Sequence, residues 1–589
     1  MRSSSLDQWV YVAAPLFAYG IVVLGLAAWG WGEGGGGRNP VATFFRSISF
    51  TLHRLTGMPG WAMAGSLTGL TAAGIAAVGL YWDVAWHIDH GRDKDLFTPS
   101  HTMILIGLNG LVFAAAVAVL FATLDRTDGQ GARSRLRVPW SALVLGALGV
   151  GASAAFPLDD LWHKAYGVDV TLWSPTHLQL IAGGSLSPMA VWLMLREGRQ
   201  EAGAAPNALA RAIEILTFGA ILTGLSIVQG EFDFGVPQFQ VLYQPILIAA
   251  AAGLALVAAR TALGPGGALL AVLGFLVLRG TFALLVGGAL NHTVPRFPLY
   301  VVAALAVEVV ALLLGTEERV RFAAVSGAAV ATVGLAAELA WIQLSGWGTP
   351  SGNGLPTAVA LSVAAGVAAA ILGAALVQGA VRPTAAGPGL RPLVVGAAGL
   401  ALLAVLAIPL PRNVGDVQAV ISLDRLDGEA TVTVQLDPAS AADDATVFGV
   451  IAWQGGGRVL AELDEVGPGR YVASRPVPVG GEWKSMVGLQ RGDEVMAAPI
   501  YLPADPEIGA SAIPAQAERR VPFSLNTDIL LREGKDGPAW PALAAYAGVT
   551  LVVGLWLSLF VRAAARVRPP SRPRGDRIEL AGEPALADR

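Results

Sequence analysis

The sequence predicts an all-α polytopic membrane protein of about 13 transmembrane helices, with a small extracytoplasmic β-sandwich inserted before the last helix. Three observations carry that expectation. The 589 residues are 54% hydrophobic and 14% charged, with a mean hydropathy of +0.58, whereas soluble domains carry about 25% charged residues. Runs of about 20 apolar residues, enough to cross a hydrocarbon core of roughly 30 Å, recur along most of the chain. Between about 411 and 540 they give way to period-two alternation broken by Gly, Pro, Asp and Asn.

Apolar runs between polar breaks place helices near 9–31, 61–83, 101–124, 139–160, 177–196, 210–230 and 238–260. Further runs follow at 266–289, 297–315, 322–344, 356–379, 393–410 and 541–563. The first is too long for a signal-peptide core of about 7–15 residues and has only Arg2 before it, so it reads as a retained helix. Pro40–Leu55 is apolar on one face with Arg46, His53 and Arg54 on the other, the pattern of a helix lying on a membrane surface. In the alternating region, "AVISLDRL", "EATVTVQLD", "ATVFGVIAW", "GRYVASRPV" and "EWKSMVGLQRG" read as strands of an antiparallel sandwich. The chain thus divides into 1–60, first helix and surface helix; 61–200, a duplicated region described below; 201–410, further helices; 411–540, the sandwich; and 541–589, last helix and tail.

Basic residues cluster at 125–137, 196–200, 317–321, 381–391 and 566–577, on alternate turns of the chain. The positive-inside rule assigns these to the cytoplasm. The N-terminus and the sandwich are then outside and the C-terminus is cytoplasmic. Arg outnumbers Lys, and Ala, Gly and Val abound, which together suggest a GC-rich bacterium and its inner cell membrane. With a net charge of −4 and no basic stripe, nucleic acid is excluded as a partner. The expected partners are the lipid bilayer and a membrane or extracytoplasmic protein docking through the sandwich.

Cysteine is absent and there are only seven His, so disulfides, iron–sulfur clusters and thiolate ligands are excluded. The scarce His are not scattered. "YWDVAWHIDHGRDKDLFTPSH" (81–101) is followed by "PLDDLWHKAYGVDVTLWSPTH" (157–177). Asp83, Trp86, His87, Gly91, Asp93, Pro99 and His101 recur 76 positions later as Asp159, Trp162, His163, Gly167, Asp169, Pro175 and His177. An ungapped register of this length is a tandem duplication.

Asp83 and His87 are i and i+4 and share a face at a helix end. His101 opens the next helix, with Pro99 suited to its first turn and Thr98 or Ser100 available as cap. There the positive end of the helix dipole favours neutral imidazole, the form that ligates a metal. The six candidate ligands are therefore Asp83, His87 and His101, and Asp159, His163 and His177. Two imidazoles and a carboxylate suit copper, zinc or iron. The Irving–Williams order ranks copper ahead of the other two, and three ligands leave a position open. His90, Arg92, Asp93 and Asp169 are expected around the ligands, and Trp86 and Trp162 in an aromatic belt. His53 and His292 read as isolated interfacial or hydrogen-bonded residues. Glu231, Asp233, Glu308 and Glu338 could join a site or pathway. The rival for the repeated sextet is a proton relay through its Asp–His pairs.

The segment "DVAWHIDHGRDKDLFTPSH" is similar to the metal-binding segment of one helical, copper-ligating subunit of particulate methane monooxygenase and ammonia monooxygenase. That family shows an Asp, a Trp-His ending four residues on, and an "RD…FTPSH" run ending in the second His. By position Asp83, His87 and His101 match its copper ligands, and Arg92, Asp93 and Thr98–His101 match the rest. The second copy keeps the ligands but has Val168 in place of Arg92 and "SPTH" in place of "TPSH". The family protein is shorter, has one such motif with a slightly shorter His–His interval, and works with two further, separate subunits. The resemblance spans 61–196 and implies a copper-dependent oxidoreductase. "GPGRYVASRPVPVGGEWKSMVGLQ" resembles FixH-like extracytoplasmic domains, which occur near copper proteins. The alternatives are copper acquisition, transport or storage without turnover, and a proton-relay transporter. The duplication leads us to expect two mononuclear centres.

Overall fold

A computed structural model describes residues 6–31, 40–90, 97–125, 136–167, 172–202, 207–235, 240–345, 354–378, 391–410, 415–454, 457–506, 509–531 and 538–567. The chain is mostly helical, with a separate β-rich, barrel-like domain. Ten helices among the described residues are long and apolar enough to cross a membrane, and three shorter ones are apolar too.

Helices α1 (Leu6–Trp31) and α2 (Pro40–Thr56) precede the duplicated region. That region is α3 (Gly60–His90), α4 (Pro99–Leu124), α5 (Trp140–Tyr166) and α6 (Pro175–Ala202). They close into a ring in which each helix packs on its two neighbours, α3 against α6 included. Their core holds Trp61, Leu108, Leu111, Leu145 and Leu148. Small residues set the helix spacing. A Cβ on Gly107 would collide with the backbone of Ala76, and one on Gly183 would lie 2.6 Å from the Ala152 Cβ. Gly183 and Ala152 are the 76-residue counterparts of Gly107 and Ala76, so the duplication preserves the helix crossing as well as the polar motif.

The second half contains α7 (Ala208–Ser226), the short α8 (Gly230–Asp233), α9 (Tyr243–Leu263), α10 (Gly267–Leu284), α11 (Val301–Leu314), α12 (Arg319–Ala329), α13 (Leu335–Leu344), α14 (Leu355–Gln378) and α15 (Pro392–Ala407). A π turn, Leu285–Ala289, extends α10, and another, Val330–Gly334, joins α12 to α13. Its core is built mainly from Ala, Val and Leu.

Carboxylates in this scaffold satisfy helix ends, whose first N–H groups have no partner within the helix. Glu197 accepts from Trp140 N and Ser141 N, Glu308 from Gly266 N and Ala268 N, and Glu338 from Leu299 N and Tyr300 N. Glu308 and Glu338, which could join a site, are thus placed at helix starts. Asp233 pairs with Arg279 at 2.6 Å, and Glu231 accepts from Leu172 N.

The β domain comprises β1 (Gln418–Leu426), β2 (Glu429–Asp437), β3 (Val447–Gln454), β4 (Gly457–Gly467), β5 (Arg470–Ala473), β6 (Val477–Pro478), β7 (Lys484–Arg491), β8 (Glu494–Tyr501), β9 (Glu518–Pro522) and β10 (Ser524–Leu525), then α16 (Asn526–Leu531). All pairings are antiparallel. The sequence pattern suggests two sheets, but the strands follow one path, β10-β8-β7-β3-β4-β5-β2-β1-β9. The long β4 pairs β3 through 457–462 and β5 through 463–467, carrying the sheet round on itself. Alternate residues of β2 (Ala430, Val432, Val434 and Leu436) are buried in its core.

Helix α17 (Ala539–Arg566) returns to the duplicated region. The Trp556 indole packs on Gly151 and donates to Ala147 O at 3.1 Å.

Candidate metal centre

Hydropathy ends the second apolar run at about residue 83, but α3 runs on to His90. Polar residues end the apolar run without ending the helix, because nothing in "DVAWHIDH" breaks one. Asp83 and His87 therefore sit in regular helix, one turn apart. At the start of α4, Thr98 is the N-cap and accepts from His101 N at 3.3 Å, with Pro99 following. The cap positions His101 in the first turn, facing Asp83.

Each set converges through Nε2. His101 Nε2 lies 3.1 Å from Asp83 Oδ1, and His87 Nε2 lies 3.7 Å from Asp83 Oδ2. In the second set His163 and His177 both aim at Asp159 Oδ2, at 3.0 and 3.4 Å. Donor atoms about 2.0–2.2 Å from one ion, at angles between right and tetrahedral, stand about 2.8–3.6 Å apart. Three of the four observed separations fall in that range, and His87 needs a small inward turn. The six residues form two groups, Asp83/His87/His101 and Asp159/His163/His177, each with its ligand atoms within 4.8 Å of one another. Both groups could hold a metal ion. All six side chains are at most 24% exposed.

The residues behind the carboxylates are duplicated in function although the letters change. Ser100 Oγ donates to Asp83 Oδ1 at 2.7 Å, and Thr176 Oγ1 donates to Asp159 Oδ1 at 2.5 Å. Thr98 is the capping hydroxyl in the first copy and Ser174, bonded to His177 N at 3.2 Å, in the second. "TPS" and "SPT" thus exchange Ser and Thr while keeping both hydroxyls. A reading limited to caps finds one of these roles and misses the hold on the carboxylate.

Tautomer gives a further constraint. His163 Nδ1 lies 3.2 Å from Gly167 O, and a carbonyl only accepts, so Nδ1 carries the hydrogen. The neutral ring then presents a bare lone pair at Nε2, facing the Asp159 carboxylate. Two lone-pair atoms 3.0 Å apart repel. A cation between them removes the repulsion, as does a proton.

The surroundings of the two sets differ. His101 packs edge-on against Phe156, which with Phe97, Val12 and Leu105 forms an apolar cover. Beside the second set, Asp160 pairs with Lys164 at 2.6 Å. The first copy has Val84 and Ile88 at those positions. Tyr81 links α3 to the second half through Asp233, at 3.4 Å, with the Arg279 guanidinium 3.9 Å above its ring.

Arg92, Asp93 and Asp169, expected around the ligands, lie outside the described residues. His90, expected there too, packs against Trp86 and His292. Trp162 stacks on Tyr166, with ring centroids 4.2 Å apart. His292 is hydrogen-bonded, as expected, with Asp89 as its partner at 2.9 Å, and His53 meets Met58 O at 3.2 Å.

Both sets lie at the end of the helical region that carries the β domain. Tyr166 Oη donates to Pro538 O at 2.9 Å and Tyr546 Oη to Trp173 O at 3.1 Å, tying the second set's neighbourhood to the start of α17. Gln240 donates to Gly492 O and Val241 N to Gln490 Oε1, both at 2.9 Å, and Arg458 donates to Gly235 O.

Comparison with family models, curated proteins and solved structures returns no match for this chain.

Proposed function

We propose that this chain is a bacterial inner-membrane protein that binds copper at two mononuclear Asp/His/His centres on the outer side, and that the bound copper serves an oxidoreductase reaction. In this reading all 13 apolar helices cross the membrane, the N-terminus and the β domain are outside, and the C-terminus is cytoplasmic. The observation that carries the metal reading is the paired hold on both carboxylates. A hydroxyl fixes Oδ1 in each copy, and the imidazole Nε2 atoms converge at metal-ligand spacing. Such supporting hydrogen bonds orient ligands and raise affinity.

Copper is proposed because oxygen and imidazole donors without sulfur, at an external face, favour it under the Irving–Williams order. The oxidoreductase part rests on the resemblance of residues 81–101 to the monooxygenase segment and on the open coordination position. Copper at such a position can bind and activate O₂. The chain's own residues would hold the ion, keep Nε2 unprotonated toward it and, through Phe156 and Phe97, keep water from one side of His101. The β domain, seated at the same end, is the surface for a protein partner.

Metal analysis of the purified protein, paired with an O₂-consumption assay, tests both parts. About two coppers per chain with O₂ uptake supports the full reading. Copper without turnover leaves acquisition or storage. Absence of metal at these residues leaves the proton relay.

A further inference from the structure

The stretch "GEFDFG" (230–235) places two carboxylates at the end of an apolar run, where ionisable side chains are costly and mark function by default. Helix α7 tightens into a 3₁₀ turn at Ile227–Gln229, α8 follows, and Gly235 beyond it is left-handed at φ 69°. Residues two apart on a helix point about 200° apart, so Glu231 and Asp233 reach to opposite sides. Both are buried, at 6% and 2% exposed.

Each reaches one copy of the duplicated motif. Glu231 accepts from Leu172 N at 3.1 Å. Leu172 stands just before Ser174, the hydroxyl bonded to His177 N, and Thr176, which holds Asp159 Oδ1. On the other side Asp233 holds the Arg279 guanidinium at 2.6 Å, and that guanidinium lies 3.9 Å from the centroid of the Tyr81 ring. A desolvated cation over an aromatic face grips it firmly. The Tyr81 hydroxyl, 3.4 Å from Asp233, adds less, because a strong O–H···O bond is about 2.7 Å long. Tyr81 precedes Asp83 by two residues and so leaves α3 on nearly the opposite side. Holding Tyr81 therefore fixes the rotation at which Asp83 and His87 meet His101. Pro157 occupies the corresponding place in the second copy, so this grip belongs to the first.

We propose that Glu231 and Asp233 are positioning residues that make α8 a single bracket for both centres. Given copper at both sets, as proposed above, Glu231 sets the ligand geometry of the second centre through the start of α6. Asp233 sets that of the first through Arg279, Tyr81 and the rotation of α3. One short element thus gauges two sites that the duplication made separately, and Leu172, Tyr81 and Phe234 pack in one apolar cluster beside it.

The test is copper affinity of the full chain in detergent, by competition with a chelator, with each centre read alone. The second is read in a His87→Ala background and the first in a His163→Ala background. Glu231→Ala should weaken the second centre about 10- to 100-fold, the usual loss for a partner behind the ligands, and leave the first unchanged. Glu231→Gln, whose amide oxygen still accepts from Leu172 N, should restore most of that affinity. Removing Asp233 would leave Arg279 buried without its counter-ion, so the first tie is tested at Tyr81. Tyr81→Leu should weaken the first centre about tenfold and spare the second, and Tyr81→Phe, which keeps a ring under Arg279, should restore most of the loss. Equal losses at both centres in either variant would reflect a general loss of structure and overturn the proposal. Backgrounds that bind no copper reject the metal reading and the bracket with it. Backgrounds that bind copper with an affinity that neither Glu231→Ala nor Tyr81→Leu alters reject the bracket alone.

Discussion

Asp159 shows how much one hydroxyl can decide. Thr176 holds Oδ1 and turns Oδ2 toward both imidazoles. In Thr176→Val the shape is kept and the donor is lost, so copper affinity at the second set should fall about 10- to 100-fold with the first set unchanged. Equal affinities in Thr176→Val and wild type, read by competition with a chelator, would show that the hydroxyl does not support a ligand. The ligands themselves separate two centres from one. His163→Ala should remove about half of the copper and leave the other centre's spectrum intact, and His87→Ala should do the reverse. Loss of all copper in either variant rejects two independent centres. Because a ligating imidazole must be unprotonated, acidification should release copper. The load should fall between about pH 7 and pH 4.5, where free imidazole gains its proton. A load that stays constant over that interval rules out imidazole ligation.

At the scale of elements, the site depends on helix spacing. Asp83 and His87 come from α3 and His101 from α4, so the distance between these helices sets the width of the site. Gly107 permits the close crossing at Ala76, with backbone against backbone. A methyl there cannot be accommodated by turning a side chain. Gly107→Ala should cost about 1–3 kcal/mol of stability, the usual range for overpacking. It should also lower copper at the first set more than at the second, and Gly183→Ala should reverse that order. Thermal unfolding and metal analysis of the two variants read both effects. A stability loss with equal copper at both sets would mean that the crossing does not gauge the site.

Over the whole molecule, the β domain is tied to the helices from two directions. Helix α15 leads into it, and α17 leads out and packs on α6 and, through Trp556, on α5. The seam at Gln240, Val241 and Arg458 holds it over the end where both sets lie. A reporter fused after residue 130 or 200 should therefore register as cytoplasmic, and one near 455 as external, by the positive-inside rule. Finding both on one side of the membrane would remove the proposed outward placement of the metal.

Composition and hydropathy by themselves determined that the chain is built on long apolar helices. Period-two alternation located the β region, and a register of 76 residues exposed the duplication. These features repeat locally, so neighbouring residues suffice to read them. The candidate ligands were legible for the same reason, since i, i+4 spacing and a helix-start motif are local. What only the tertiary structure decided rests on contacts between residues far apart in sequence. The Ser100–Asp83 and Thr176–Asp159 bonds each span 17 positions, Tyr81–Asp233 spans 152 and His292–Asp89 spans 203. No periodicity encodes such pairs. Capping by Glu308 and Glu338 and the passage of β4 between two halves of one sheet were hidden likewise. A buried carboxylate or a strand edge takes whichever partner the packing brings to it, and helix packing is settled by shape across the whole chain.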